Sequence, residues 1–497
     1  MTISTRGLVS STLLLLGRAL ADTCSVIEDT STIDVARPLD LSYLDEQAGY
    51  WSSSCSALKP SCIIFPKDAA EVAAVVAALA NTTEQFAVKS GGHNPNNYWS
   101  SVAGGPLIST RKLNQVILNT ETGVARVGPG QRLDSIAAEL QGTGWTFVGG
   151  RIGNTGVGGL VLGGGLSYMS AQYGWSASSV LEFEIVLANG TVATASESHH
   201  PDLFRALKGG GNNFGVVTAY VLQLYRQDDV VAGNLVFART PGTDARLLRA
   251  VRDFTEHNAD DRAAIIVTAE RGNIDLLDAW ILFLFYDGPV VPPGTFDNFT
   301  AAGPLLNTLK VQSYAHLMGT SNWVVVRGSV VTIATETVPL PPAASVDRVL
   351  GGLHAHWRDV SGTTLLVPGI IASIAWQPFP KRIARAARAR SADLIDTDDT
   401  VDRLIVEMNY SFLLPSDYDR IDQAIQRTYG GMRDRVLGWQ RDGTLPDAYL
   451  PIFMNYGYHR QDYFGRLRPE SRALARSVAD RVDPDGLFRT RTGGWKP

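Results

Sequence analysis

The chain has 497 residues, 45% of them hydrophobic and 9% aromatic, more than one ordinary core holds, which predicts two globular domains. Its formal charge of −5 gives no basic surface for a nucleic acid or an anionic membrane. The 48 glycines are clustered rather than periodic, which excludes a collagen-like or linker composition and points to loops that cradle a ligand.

Residues 1–21 read as a secretory signal peptide. Arg6 supplies the positive end, Leu13 to Leu16 the heart of the apolar segment, and Ala19-Leu20-Ala21 the cleavage site. The segment is too short to span a bilayer, so the mature chain is expected to be secreted, without Arg6 and Arg18. Sequons at Asn81, Asn189, Asn298 and Asn409 agree with that route, with Asn81 and Asn298 the expected acceptors. Cys24, Cys55 and Cys62 predict one disulfide and one thiol left over.

Residues 22–58 read as an irregular arm. A βα pattern follows: a strand over 62–65, a helix over 68–79 opened by the capping box Asp68-Ala69-Ala70-Glu71, and a strand over 86–89. That strand leads straight into Ser90-Gly91-Gly92-His93-Asn94, where two glycines allow close backbone approach and one imidazole follows. A second βα unit covers 124–140. Next come Gly149-Gly150-Arg151-Ile152-Gly153-Asn154-Thr155-Gly156-Val157-Gly158-Gly159 and Gly163-Gly164-Gly165. A hairpin over 181–195 turns at Asn189-Gly190, and a third glycine run from Gly209 leads into a strand over 216–224 that contains Val217. Beyond residue 230, strands over 234–237, 264–269, 279–285, 323–331, 370–376 and 404–412 alternate with helices over 244–255 and 346–358, which suggests an antiparallel sheet covered on one face. The arginine-rich stretch 382–390 reads as a solvated helix face. The tail carries Phe453-Met454-Asn455-Tyr456 and a helix ending near Ala479.

Taken in this order, the glycine runs and the tail segment resemble the FAD-linked oxidases of the vanillyl-alcohol oxidase type, most closely the berberine bridge enzyme-like branch. The matches cover 60–218 and 453–497, and the similarity between them is of texture only. The resemblance implies a two-domain α+β flavoprotein. The arm at 22–58 would be followed by an FAD-binding domain at 59–229 and a substrate domain at 230–448, with 449–497 completing the FAD domain. It also implies FAD linked through His93. Many relatives add a second link from a cysteine in the glycine-rich loop; Ile152 stands there, so a single link is expected. The other cofactor contacts it implies are Ser90, Gly91, Gly92, Asn94, Gly150, Gly153, Gly156, Val157, Gly158, Gly159, Gly163, Gly164, Val217 and Asn455. The resemblance favours a Cys24–Cys62 disulfide, with Cys55–Cys62 as the alternative. A nicotinamide-type fingerprint fails on spacing, since Val161 occupies the place of its third glycine.

Asn455 and Tyr456 match the Tyr-x-Asn-Tyr motif of plant relatives, in which the tyrosine is the base, while Phe453 departs from it. A phenol titrates at about 10 unless a cation or hydrogen bonds lower it. Glu407 is the second candidate. Alternation places Ile405, Glu407, Asn409 and Ser411 on one strand face. If that face meets the cofactor, Glu407 is a base and Asn409 carries no glycan; otherwise Tyr410 points inward. His354 and His356 do not share a helix face, so no metal is expected. The expected activity is oxidation of a small secondary metabolite by a monomeric enzyme, with O2 as acceptor near Val157, Gly159 and Leu160. A carbohydrate or alcohol oxidase and a non-catalytic binding protein on the same scaffold are the alternatives.

Overall fold

The computed structural model describes residues 22–497, so the signal-peptide reading of 1–21 lies outside the described residues. The fold is α+β. A four-stranded sheet comes first, ordered Asp34–Ala36, Cys62–Phe65, Pro106–Ser109, Ala87–Lys89, its last three strands parallel. Beside it lies an antiparallel sheet ordered Val116–Asn119, Val124–Val127, Val216–Gln223, Val180–Val186, Val192–Ser196. Helix Ala69–Ala80 starts where the capping pattern puts it: the Asp68 carboxylate accepts from Glu71 N at 2.9 Å, and Glu71 accepts from Lys67 N at 2.9 Å.

Residues 230–412 build an eight-stranded antiparallel sheet. Its centre runs Leu277–Tyr286, Ala263–Gly272, Ile371–Phe379, Arg403–Phe412, Val330–Pro339. One face packs against helices Pro241–His257, Gly352–Gly362 and Tyr418–Arg441, where Leu247, Trp357 and Ile425 meet Val267, Trp376 and Met408. Side chains alternate along a strand, so the residues between these point the other way, toward the glycine loops. The tail then returns to the first sheets. Arg466 pairs with buried Glu336 at 2.6 Å, and Arg491 donates to the carbonyls of Leu79 at 2.8 Å and Thr82 at 2.9 Å.

Two expectations need correction, and one long helix had no forerunner in the sequence reading. The arm at 22–58 is not irregular: it forms helices Thr23–Thr30, Leu41–Ala48 and Ser53–Ala57 and strand Asp34–Ala36. Helices this short have little intrinsic stability and are held by tertiary contacts, which sequence periodicity does not show. Residues 323–331 do not form one strand. A 3-10 turn occupies Ser321–Val324, and the strand starts at Val330. The β-branched composition is overridden because Asn322 is tied to the glycine loop, accepting from Asn154 N at 2.7 Å and donating to Asp134 at 3.0 Å. The longest helix, Tyr418–Arg441, carries Gly430 and Gly431 at its middle, which mask its pattern. Gly431 is needed there because an added Cβ would lie 2.3 Å from His356 Nε2. His356 contacts the carbonyls of Arg427 and Thr428, whereas His354 packs between Trp280 and Trp357.

Cys24 is bonded to Cys62, 38 residues away, and Cys55 is a buried free thiol. Closing a loop of this length in the unfolded chain stabilises the fold by about 3–4 kcal/mol. Cys24→Ser should lower the urea midpoint and steepen the slope, because the unfolded chain without its cross-link exposes more surface, and reducing agent should shift the wild-type protein to the same midpoint.

Candidate active site

Strand Ala87–Lys89 is the edge strand of the first sheet and buries Lys89, which pairs at 2.5 Å with Glu46 from the arm. The chain then turns at Gly92, whose φ of +70° favours glycine. The Gly92 carbonyl accepts from Trp51 N at 3.0 Å, and the Trp51 ring lies over His93 with centroids 4.7 Å apart. The arm therefore supplies one wall of the histidine's pocket. From the other side, Arg132 donates to the Gly91 carbonyl at 3.2 Å and to the Asn154 carbonyl, joining the His93 loop to the glycine-rich loop. These loops touch so closely that a Cβ on Gly91 would lie 2.3 Å from Gly156 N.

Burial and the nearby Arg132 charge push the His93 imidazole down to about 4, so it is neutral at physiological pH. Its Nε2 is buried and has no hydrogen-bond partner. A neutral, unpartnered ring nitrogen facing a cavity is a nucleophile or acceptor waiting for a ligand atom.

That cavity, about 570 Å³, runs from the three glycine loops to the outward face of the large sheet. Asn455 marks its tail-side edge. Its amide accepts from Gly165 N at 3.0 Å and donates to the Gly159 and Leu160 carbonyls, both at 3.2 Å. Asn96 spaces the tail from the His93 loop, donating to the Gly457 carbonyl at 3.0 Å and accepting from His459 N at 3.0 Å. Asn455 is thus followed by Tyr456 at a fixed distance from His93.

On the sheet side, Glu407 receives a hydrogen bond of 2.9 Å from Gln377 Nε2, and Tyr456 stands beside it. The Arg151 guanidinium donates to the Tyr456 hydroxyl. Burial raises the Glu407 carboxyl, opposed by Arg151, Gln377 and Tyr456. Burial likewise pushes the Tyr456 phenol up to about 12, with Arg151 opposing. At neutral pH the cluster therefore has a protonated tyrosine beside the more acidic carboxyl group.

Of the residues singled out by sequence, the cavity wall brings together Ser90, Gly91, Gly92, His93, Asn94, Gly150, Gly156, Gly158, Gly159, Val217, Asn455, Tyr456 and Glu407. Five stand elsewhere. Tyr410 occupies the opposite strand face, buried against the covering helices with its hydroxyl 3.0 Å from Thr428 Oγ1. Val157 is a core residue behind the loop. Gly153 faces the Met318 carbonyl and donates its N–H to Ser321 Oγ at 2.9 Å. Gly163 makes room for the Asn455 side chain, and Gly164 abuts Ile395. Sequence reasoning missed Trp51, Arg132, Arg151 and Gln377. Arg151 was the one cation inside a glycine run, and Gln377 continues the polar alternation of Ser373, both visible signals; nothing local marks Trp51.

The backbone clefts, the unpaired imidazole nitrogen and the cavity's length fit a flavin dinucleotide. The family model for an FAD binding domain matches residues 60–196. An uncharacterized FAD-linked oxidoreductase of Arthroderma benhamiae is 40% identical over 466 residues, 93% of this chain and 92% of that one. The chain belongs to the FAD-linked oxidoreductases. An FAD-dependent monooxygenase of Fusarium proliferatum is 32% identical to this oxidoreductase over 463 residues, 90% of this chain and 87% of that one. The structure of berberine bridge enzyme from Eschscholzia californica superposes with a TM-score of 0.73 at 17% identity, covering 95% of this oxidoreductase and 98% of that enzyme. The fold is of the berberine bridge enzyme type.

A methyl group at Gly91 must push the two loops of the FAD-binding oxidoreductase apart at a cost of about 1–3 kcal/mol. Gly91→Ala should therefore lower the flavin absorbance per folded protein by roughly tenfold. Gly430→Ala, where an added Cβ meets nothing within 4 Å, should leave it unchanged.

Proposed function

We propose that this enzyme binds FAD covalently through His93 and oxidises a small secondary metabolite, with Glu407 as the base. The observation that carries the reading is the single cavity joining the unpaired His93 nitrogen at one end to the Arg151–Tyr456–Glu407–Gln377 cluster on the sheet. FAD, when bound, supplies the acceptor for hydride. Glu407 takes the proton from the substrate oxygen or carbon. Gln377 holds one carboxylate oxygen, and Tyr456, kept as a phenol, is the neutral neighbour of that carboxylate. Arg151 orients Tyr456 and limits the cost of burying the Glu407 charge. Asn455 fixes the peptide that carries Tyr456.

A single flavin link is consistent with Ile152 in the glycine loop and with Cys55, whose thiol lies against the Asn94 and Pro95 carbonyls. The role of O2 as acceptor draws support from the open space beside Gly159, where an added Cβ would meet nothing within 4 Å. Passage through the secretory pathway accords with the Cys24–Cys62 disulfide and with exposed Asn81 and Asn298 as glycan sites, the protein acting as a monomer. Asn409, on the cavity face, is not an acceptor.

Acid precipitation tests the link. Wild-type protein should retain its yellow colour in the pellet, and His93→Ala should release it or fail to acquire it. A wild-type supernatant carrying all the flavin would sink the covalent assignment.

The pH profile tests the base. A base must be ionised, and burial raises the Glu407 carboxyl above the ordinary glutamate value, so activity should be lost on the acid side at a pH above that value. Glu407→Gln should abolish this limb and lower kcat by about 10²–10⁴-fold. If Tyr456 were the base, activity would instead climb through the alkaline range toward about 12.

A further inference from the structure

The cavity face of the sheet carries a second carboxyl group that the proposed chemistry does not use. Glu270, on strand Ala263–Gly272, projects into the same cavity as Glu407. Its neighbour across the sheet is Ser373, whose hydroxyl lies 3.4 Å from Glu270 Oε1, a long contact. Among the described residues no lysine, arginine or histidine faces it, and burial alone dominates its environment, pushing the carboxyl up. The cavity wall thus holds two carboxyl groups against one guanidinium, that of Arg151, which is engaged with Tyr456 and Glu407. A buried carboxylate without a counter-ion is unfavourable unless a ligand brings the charge.

The register fixes how far that ligand must reach. Glu407 aligns with Ala375 and Ala375 with Thr268, so Glu270 stands two strands across and two residues along from Glu407. Strand spacing and rise put the two Cα atoms about 12 Å apart. The row through Glu270 continues to Ser373 and Asn409, whose hydroxyl and amide provide further acceptors for N–H groups on the same ligand.

We propose that Glu270 is the specificity-determining residue for a substrate bearing a protonated amine, its carboxylate taking the ammonium group while the reacting end lies at Glu407 and Tyr456. The proposal rests on the flavin-oxidoreductase reading of this cavity. It places the amine the length of one or two rings from the reacting atom, and it selects against substrates with an acidic group at that end.

The test uses the flavin-loaded enzyme at neutral pH and three probes of one shape: 4-phenylbutylamine, 4-phenylbutanol and 4-phenylbutyrate. Dissociation constants come from the perturbation of the flavin absorbance band. Wild type should bind the amine at least tenfold more tightly than the alcohol, and the acid most weakly. Glu270→Gln, which keeps the side-chain shape, should retain the flavin spectrum and bring amine and alcohol to within about twofold of each other. Equal binding of amine and alcohol by wild type, no binding of the amine, or a preference that survives in Glu270→Gln would overturn the proposal. A purified protein with no flavin band would instead overturn the reading on which it rests.

Discussion

The guanidinium of Arg151 lies in contact with a phenol and within reach of a carboxyl group, all three half-buried in one cavity wall. Removing a carboxylate from water costs several kcal/mol unless a cation or good donors replace the lost hydration. Arg151 provides the cation and Gln377 the donor, with the Tyr456 phenol beside them. The arrangement depends on where Arg151 comes from. It belongs to the glycine-rich loop of the FAD-binding part, whereas Glu407 and Gln377 belong to the large sheet and Tyr456 to the returning tail. Three separate stretches of chain therefore converge on one charge, and any shift of the sheet against the loops would leave a buried ion unpaired. This is a physical reason for the dense ties between the parts, such as Asn154 to Asn322, Gly153 to Ser321 and Arg466 to Glu336.

The division of the site into backbone and side-chain halves explains what was legible in the sequence. The cofactor half is made of close backbone approaches, and these demand glycine at fixed places, so His93 and its loops stand out in the bare sequence. The sheet half is written in a period of two. On the strand Arg403–Phe412 that period separated Glu407 and Asn409 from Tyr410, but the sequence could not say which set faced inward. The apolar set Leu404, Val406, Met408, Tyr410 and Phe412 packs under the helices while Glu407, Asn409 and Ser411 line the cavity, and polarity alone does not tell a cavity wall from a solvated face. The structure resolves it through Tyr410 and Thr428 on the covered side. Trp51 was invisible for a different reason. Its contact with His93 depends on an arm whose path is set by a disulfide and a buried ion pair far along the chain, not by any local pattern. The misread strand at 323–331 fails in the same way: Asn322 answers to a distant loop before it answers to the propensity of its neighbours.

The alternation that hid the orientation of the sheet also separates chemistry from stability. On strands Ala263–Gly272, Ile371–Phe379 and Arg403–Phe412, the core positions Val267, Ala269, Ile374, Trp376, Val406 and Met408 pack under the helices. The intervening positions Thr268, Glu270, Ser373, Gln377, Glu407 and Asn409 line the cavity. A substitution in the second set changes what the cavity recognises without opening a void in the first. Strand-borne side chains are also held more rigidly than loop-borne ones, because each is fixed by ladders on both sides. A sheet of this kind keeps Glu407 and Gln377 in register while its outer rows vary. A carboxyl group such as Glu270 can therefore be placed at a set distance from the reacting end by choice of strand and row alone.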